Sequence, residues 1–257
     1  MRQGMMRLGV AAALVAAGCT AGADAPASPA GGQRLASPAA PAATAAAATT
    51  VVATAKAPPG TQVTAAAPRF RGSVSAIDRS TRSRMRWSWR PGCPVGLGDL
   101  RLLRVDHWGF DRQVHRGQLV VHRDQARVVL GVMERLFRLR YPIRRMRLVD
   151  DYRADDDRSM AANNTSAFNC RPVTGTSRWS EHAYGRAIDV NPVQNPYVAG
   201  GHVLPPAGRP YADRARRAPG MIHAGDAVVR AFAAAGWGWG GAWRTARDYQ
   251  HFSASGR

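Results

Sequence analysis

Apolar and polar positions along this chain recur, alternate and break off in a way that marks a series of short elements. From Leu100 to Val121 the pattern is strand-like and interrupted by Gly109 and Gly117, with Gln118-Leu119-Val120-Val121 a good short strand. Val129, Met133, Leu136 and Phe137 recur at the three-and-four spacing of one buried face, which predicts a helix capped by Asp124, running to about Arg140 and ended by Pro142. Met146 and Leu148 alternate with arginines, so 144–152 reads as a strand. Between Asp155 and Arg171 many Asp and Asn side chains compete for backbone hydrogen bonds, and a long structured loop of the kind that lines a site is expected. The proline- and glycine-rich stretch from Asn191 to Pro210 reads as another loop. A second amphipathic helix follows over Asp226 to Ala235, through Val228, Val229 and Phe232, with Gly236 as its stop.

Ser180 to Asn191, SEHAYGRAIDVN, stands out within this pattern. Gly185 can supply the backbone angles of a turn, and the alternation after it puts Ala187 and Asp189 on one strand face, Ile188 and Val190 on the other. The turn delivers His182 and the strand holds Asp189, two thirds of a three-ligand metal site with a position left open for water. His251 offers the third ligand, and Asp248 lies three residues before it. In a regular strand residues three apart face opposite sides, so Asp248 and His251 converge only if the segment is bulged or begins in a turn. Two imidazoles and a carboxylate would hold one zinc ion whose bound water has its pKa lowered towards roughly 7, and a carboxylate that is not a ligand could take the proton. Asp248 is the candidate for that base. Of the other histidines, His107, His115 and His122 lack ligand spacing, and His202 and His223, each beside glycine or alanine in irregular sequence, are the weaker alternatives as ligands.

Composition narrows where this chemistry operates. Arg2 and Arg7 precede an apolar run, Leu8 to Ala17, too short to span a bilayer and ending at Gly18-Cys19, the layout of a secretory signal peptide; the cysteine after small residues resembles a lipobox, with Ala16 where leucine is usual. Residues 20–68 are almost entirely Ala, Pro, Thr, Gly and Ser and read as a flexible tether. One domain is expected over 69–257. Export would leave Cys93 and Cys170, which could pair as a disulfide in an oxidising compartment or remain buried thiols. The net charge of +19 comes almost wholly from arginine, Lys56 being the only lysine, and such a bias fits high-GC codon usage. It would also suit an anionic polymer such as a cell-wall glycan; a nucleic-acid partner rests on charge alone and is not expected. Arg86-Trp87-Ser88-Trp89-Arg90 reads as an arm whose rings pack on the domain, with stacking on a sugar or base as the alternative. Trp237, Trp239 and Trp243 form either a packed aromatic corner or a cleft wall against substrate.

Ser180-Glu181-His182, Gly185, Ala187 and Asp189 match the S-x-H-x-x-G-x-A-x-D motif of the VanY/VanX type of D-alanyl-D-alanine carboxypeptidases and dipeptidases, and Asp248-x-x-His251 resembles that family's second motif in the branch that includes L-alanyl-D-glutamate endopeptidases. The resemblance implies an α+β fold, a single domain with an antiparallel sheet backed by helices, hedgehog/DD-peptidase-like. It implies zinc held by His182, Asp189 and His251, with Asp248 as base. Arg158 would stabilise the oxyanion, with Arg171 its rival, because Asp156-Asp157 stand where the family commonly has a glycine and an aromatic. Ser180 would contact substrate, as would Trp239 if the indoles line a cleft. The expected protein is an exported monomeric metallopeptidase of the cell envelope, acting on peptidoglycan stem peptides and touching the membrane only through lipid at Cys19. The competing reading is a non-catalytic wall-binding module that uses its basic, tryptophan-rich surface.

Overall fold

The structure, a computed structural model, describes residues 67–257. The expected signal peptide and all but the last two residues of the expected tether lie outside the described residues. Along the chain come β1 (Gly72–Ala76), α1 (Arg79–Arg84), β2 (Leu100–Trp108), β3 (Val114–His122), α2 (Ala126–Arg138), β4 (Arg145–Met146), α3 (Asp156–Ala161), β5 (Asn164–Thr165) and β6 (Ala187–Asp189). The remainder is β7 (Tyr197–Ala199), β8 (His202–Leu204), α4 (Arg209–Ala212), α5 (Ala227–Ala233), β9 (Gly238–Trp239), β10 (Arg247–Asp248) and β11 (His251–Ser253). The fold is α+β, as expected, but its antiparallel strands form three small sheets, β1-β2-β3, β6-β11-β9 and β10-β7-β8, beside a parallel β4-β5 pair. Among the described residues no helix is long and apolar enough to cross a membrane.

The hairpin of β2 and β3 is apolar on both faces, and that gives the domain two packed layers. Leu103, Val105, Leu119 and Val121 point to one side, where α2 lays down Val129, Val132, Met133 and Leu136; Ile188, Phe232 and Phe252 complete this main core. On the other side Leu100, Leu102 and Val120 pack with Met85, Leu148, Phe168 and Cys170. The period-two alternation of the strands thus sorts one run of apolar residues into two clusters. Phe232 and Phe252 stack with centroids 3.8 Å apart, which ties α5 to β11 directly beneath His251.

Several local expectations need correction: β3 runs unbroken through Gly117, and the loop expected over Asn191–Pro210 holds the β7-β8 hairpin and the start of α4. Asp124 does not cap α2: the cap position is Gln125, and the Asp124 carboxylate is drawn instead to His122 and Arg186. The strand expected over 144–152 stops after Met146, and Val149–Tyr152 forms a 3-10 turn whose Asp150 carboxylate accepts hydrogen bonds from the backbone of Trp87 and Ser88. The loop expected over 155–171 contains α3, because the Asp155 side chain accepts from Arg158 N at 3.0 Å and so caps a helix rather than breaking one. Beyond it, residues 164–170 run as a strap between β3 and the SEHAYGRAIDVN segment: Phe168 N donates to Val120 O, and Ser166 and Asp189 exchange two backbone hydrogen bonds. Cys93 and Cys170 are joined by a disulfide, Cα atoms 5.9 Å apart, which fastens the tryptophan arm to the end of this strap. Trp89 packs in the second core, whereas Trp87 is 49 % exposed.

Candidate metal centre

The motif folds as its residue types require. Ser180 opens a 3-10 turn over Glu181–Tyr184 by accepting from His182 N, and Gly185 closes it at φ +67°. A Cβ at Gly185 would come within 2.6 Å of His122 N, the group that donates to Gly185 O at 2.8 Å, so backbone conformation and close approach both demand glycine there. The chain then enters β6, which carries Asp189 opposite His251 of β11. The irregularity expected before His251 is present: Asp248 belongs to β10, which pairs with β7, and the ladder breaks at Tyr249-Gln250 before β11 begins.

His182, Asp189 and His251 converge, all three buried, with one ligand atom from each lying within 4.8 Å of the others. His182 Nε2 is 3.1 Å from Asp189 Oδ2 and 3.3 Å from His251 Nδ1, and His251 Nδ1 is 3.1 Å from Asp189 Oδ1. The outer nitrogens decide the tautomers. His182 Nδ1 faces Ala167 O at 2.6 Å and His251 Nε2 faces the main-chain oxygen of Arg257 at 3.1 Å; an oxygen without hydrogen only accepts, so both outer nitrogens carry the proton. In neutral histidines the inward nitrogens are then lone pairs, facing a carboxylate. Three acceptors within this distance require a positive charge among them. In its absence a proton serves: burial resists charging His251, but the hydrogen bond and charge of Asp189, with the charge of Asp248, raise its pKa to about 9. Burial pushes Asp189 up, yet His182 and His251 outweigh it and hold that carboxyl well below the usual range.

Asp248 is the fourth member. Burial and then the charge of Asp189 push its carboxyl up to about 7, and Oδ1 is buried without a hydrogen-bond partner. An unsatisfied buried carboxylate oxygen is costly and uncommon, and one beside a ligand trio is placed for chemistry. Gly240 makes room for it: a Cβ there would fall 2.8 Å from Asp248 O, 3.0 Å from Asp248 Cβ and 3.3 Å from His251 Cβ.

Residues 174–254 match the family model described as D-alanyl-D-alanine carboxypeptidase. The resemblance is borne out. The matched segment carries Ser180, His182, Asp189, Asp248 and His251, and it supports a peptidase acting on peptidoglycan. Neither the curated proteins nor the solved structures compared contain a match.

The remaining predicted residues fall differently. Arg158 stands on the exposed side of α3 with its guanidinium on Asp155 at 3.2 Å, two thirds open to solvent. Arg171 is mostly covered, pairs with Asp156 at 2.6 Å, and has a buried Nε without a partner. Asp156 senses the charges of Asp189 and His182, so this pair borders the trio; burial, the leading cause, raises its pKa against the pull of Arg171. Of the two arginines, Arg171 is the more covered, and its partner Asp156 is the carboxylate on which the charges of the trio act. The Ser180 hydroxyl is occupied by its cap, and Trp239 donates to Tyr249 O while its ring stacks on Phe252, which makes it part of the packed corner.

A buried amide network was not foreseen. Asn191 donates to Pro142 O and accepts from Arg144 N, while Asn195 donates to Gly220 O and accepts from Ile222 N, tying the loop after β6 down over the core. Arg214 lies 4.3 Å over the Tyr249 ring and fastens the same loop through Gln194 O. The repeated Asn-Pro steps, Asn191-Pro192 and Asn195-Pro196, are the sequence signal that could have marked this loop as ordered.

Proposed function

We propose that this protein is an exported zinc-dependent peptidase that cleaves the stem peptides of peptidoglycan. The observation that carries the reading is the convergence of three inward-facing acceptors, on His182, Asp189 and His251, beside the buried, unpartnered Oδ1 of Asp248. The donor set, two imidazoles and one carboxylate, fits a catalytic zinc ion with a position left open. His182 would bind through Nε2, His251 through Nδ1 and Asp189 through a carboxylate oxygen. When bound, the ion supplies a Lewis acid that polarises the scissile carbonyl and makes water acidic enough to attack near neutral pH.

The chain's own groups supply the proton handling and the charge. Asp248, with its pKa raised towards neutrality, takes the proton of the attacking water on Oδ1 and passes it to the leaving amine. The Arg171 guanidinium, oriented by Asp156, stabilises negative charge on the carbonyl oxygen as the bond breaks. An aspartate as base favours the endopeptidase branch over the terminal D-Ala-D-Ala carboxypeptidase branch. The signal-like N-terminus and the Ala/Pro/Thr-rich tether suit a monomer that is lipid-anchored at Cys19 and reaches the wall from the membrane. A non-catalytic wall binder would have no use for a complete ligand set with an adjacent base. The test is amine release from purified cell wall, with mass-spectrometric mapping of the products. Cleavage should cease with a chelator and in His182→Ala; activity unchanged in both would remove zinc from the account.

A further inference from the structure

The last residues of the sequence close back on the candidate metal centre. After β11 the chain turns at Ser253–Gly256, with Gly256 N donating to Ser253 O at 3.2 Å and Gly256 at φ +74°. Two features of the Trp-Gly stretch receive this turn. Trp243 Nε1 donates to Gly256 O at 2.9 Å, and Gly238 presents bare backbone to it, since a Cβ at Gly238 would meet Gly256 Cα at 2.6 Å. The turn thereby delivers the main-chain oxygen of Arg257 to two donors, Ser253 Oγ at 2.6 Å and His251 Nε2 at 3.1 Å. Ser253 is fully buried, whereas the Arg257 side chain is exposed.

We propose that this hook, residues 254–257 held by Trp243, Gly238 and Ser253, positions His251 as a metal ligand. The proposal rests on the zinc reading given above. A histidine ligand needs its second nitrogen tied to an acceptor, which fixes the tautomer and the ring plane, and loss of such partners typically costs about 10–100-fold in metal affinity. Here the acceptor is not a side chain. It is a main-chain oxygen brought back by a turn that only glycine at positions 238 and 256 allows. The Ser253 hydroxyl holds that oxygen in the direction of the ring, and the Trp243 indole, centroid 5.3 Å from the His251 ring, covers it. The arrangement gives a use to the Trp-Gly-Trp-Gly-Gly stretch and to the small-residue tail that follows the second motif.

Zinc affinity, measured by competition with a chromophoric chelator, tests the proposal on three variants of the full chain beside the wild type. Deletion of Arg257 removes the acceptor and should weaken zinc binding about 10–100-fold, whereas Arg257→Ala retains the main-chain oxygen and should bind as the wild type does. Trp243→Phe keeps an aromatic ring but loses the N–H that holds Gly256 O, and should weaken binding in the same direction as the deletion. This variant carries the test if the deletion does not fold. Deletion and Trp243→Phe proteins that both bind zinc as tightly as the wild type would overturn the hook, as would an Arg257→Ala protein that loses affinity as fully as the deletion. A wild-type protein that takes up no zinc would overturn the metal reading beneath it.

Discussion

His251 lies directly opposite Asp189 in the ladder between β6 and β11, and the same two residues meet again through their side chains, Nδ1 to Oδ1, at 3.1 Å. Two candidate ligands are therefore fixed to each other by backbone hydrogen bonds before any ion enters. A site built on paired strands holds its geometry more closely than one built on loops. Asp189→Asn keeps the shape but removes the negative charge that the trio turns on. Metal affinity should drop by more than ~100-fold, since a ligand should matter at least as much as the partners that orient one. Chelator competition on the folded variant measures this, and wild-type affinity would show that Asp189 is not a ligand.

Asp248 is set apart from the trio by its own strand and by its unpartnered Oδ1. A base should be separable from the ligands. Asp248→Asn is expected to retain zinc while kcat falls by about 10²–10⁴, the usual worth of a positioned general base. If zinc is lost together with activity, Asp248 is a ligand or a support, and the division of roles is wrong.

The same carboxylate makes the metal-free protein sensitive to pH. Asp248 is pushed up to about 7 by burial and by Asp189, and His251 is lifted to about 9 against its burial by Asp189 and Asp248. In the unfolded chain these groups titrate near about 4 and about 6.5, so both bind protons more tightly when folded. Their stabilisation is complete below those unfolded values and is lost as pH rises, over about 4 to 7 for Asp248 and about 6.5 to 9 for His251. Asp189, held low in the fold, works in the other direction only below about pH 4. The melting temperature of metal-free protein should therefore fall from about pH 5 to about pH 9. Added zinc should raise it most at the alkaline end, where the cation takes the place of the His251 proton. A flat or rising melting temperature across that range in the metal-free protein would contradict these shifts.

The trio was legible in the sequence because its residue types and spacing are constrained by chemistry: a turn glycine, a strand carboxylate and a distant Asp-x-x-His. The helices α2 and α5 were legible because their buried faces repeat at helical spacing, Val129, Met133, Leu136 and Phe137 in one, Val228 and Phe232 in the other. What escaped depended on partners far along the chain. Asp124 looks like a cap until Arg186 and His122 compete for its carboxylate, and the Asp-rich run hides α3 because the residue that suggests a loop, Asp155, is the one that caps the helix. Arg158 and Arg171 could not be ranked locally, since what separates them is their burial and their partners, Asp155 at the surface and Asp156 beside the trio. The Arg257 oxygen has no signature at all, because every residue has one.

Gly240 gives the sharpest test of how closely the base and the third ligand are held. Its α-hydrogens face Asp248 and His251, and a methyl group would fall 2.8 Å from Asp248 O, a main-chain atom with little freedom to move away. Its backbone carries no positive φ, so Gly240→Ala imposes no conformational strain of its own, and the damage is confined to the displacement of β10 from β11. Gly185→Ala is different: it adds a left-handed backbone cost of roughly 1–2 kcal/mol to an overlap with His122 N, and should act mainly on stability. A displacement of about 1 Å at a catalytic group can cost ~100-fold in rate. Gly240→Ala is therefore expected to lower kcat/KM by about that factor with a smaller drop in melting temperature than Gly185→Ala produces. The reverse order, with Gly240→Ala the less stable and the more active of the two, would mean that the Asp248 carboxylate does not depend on this approach.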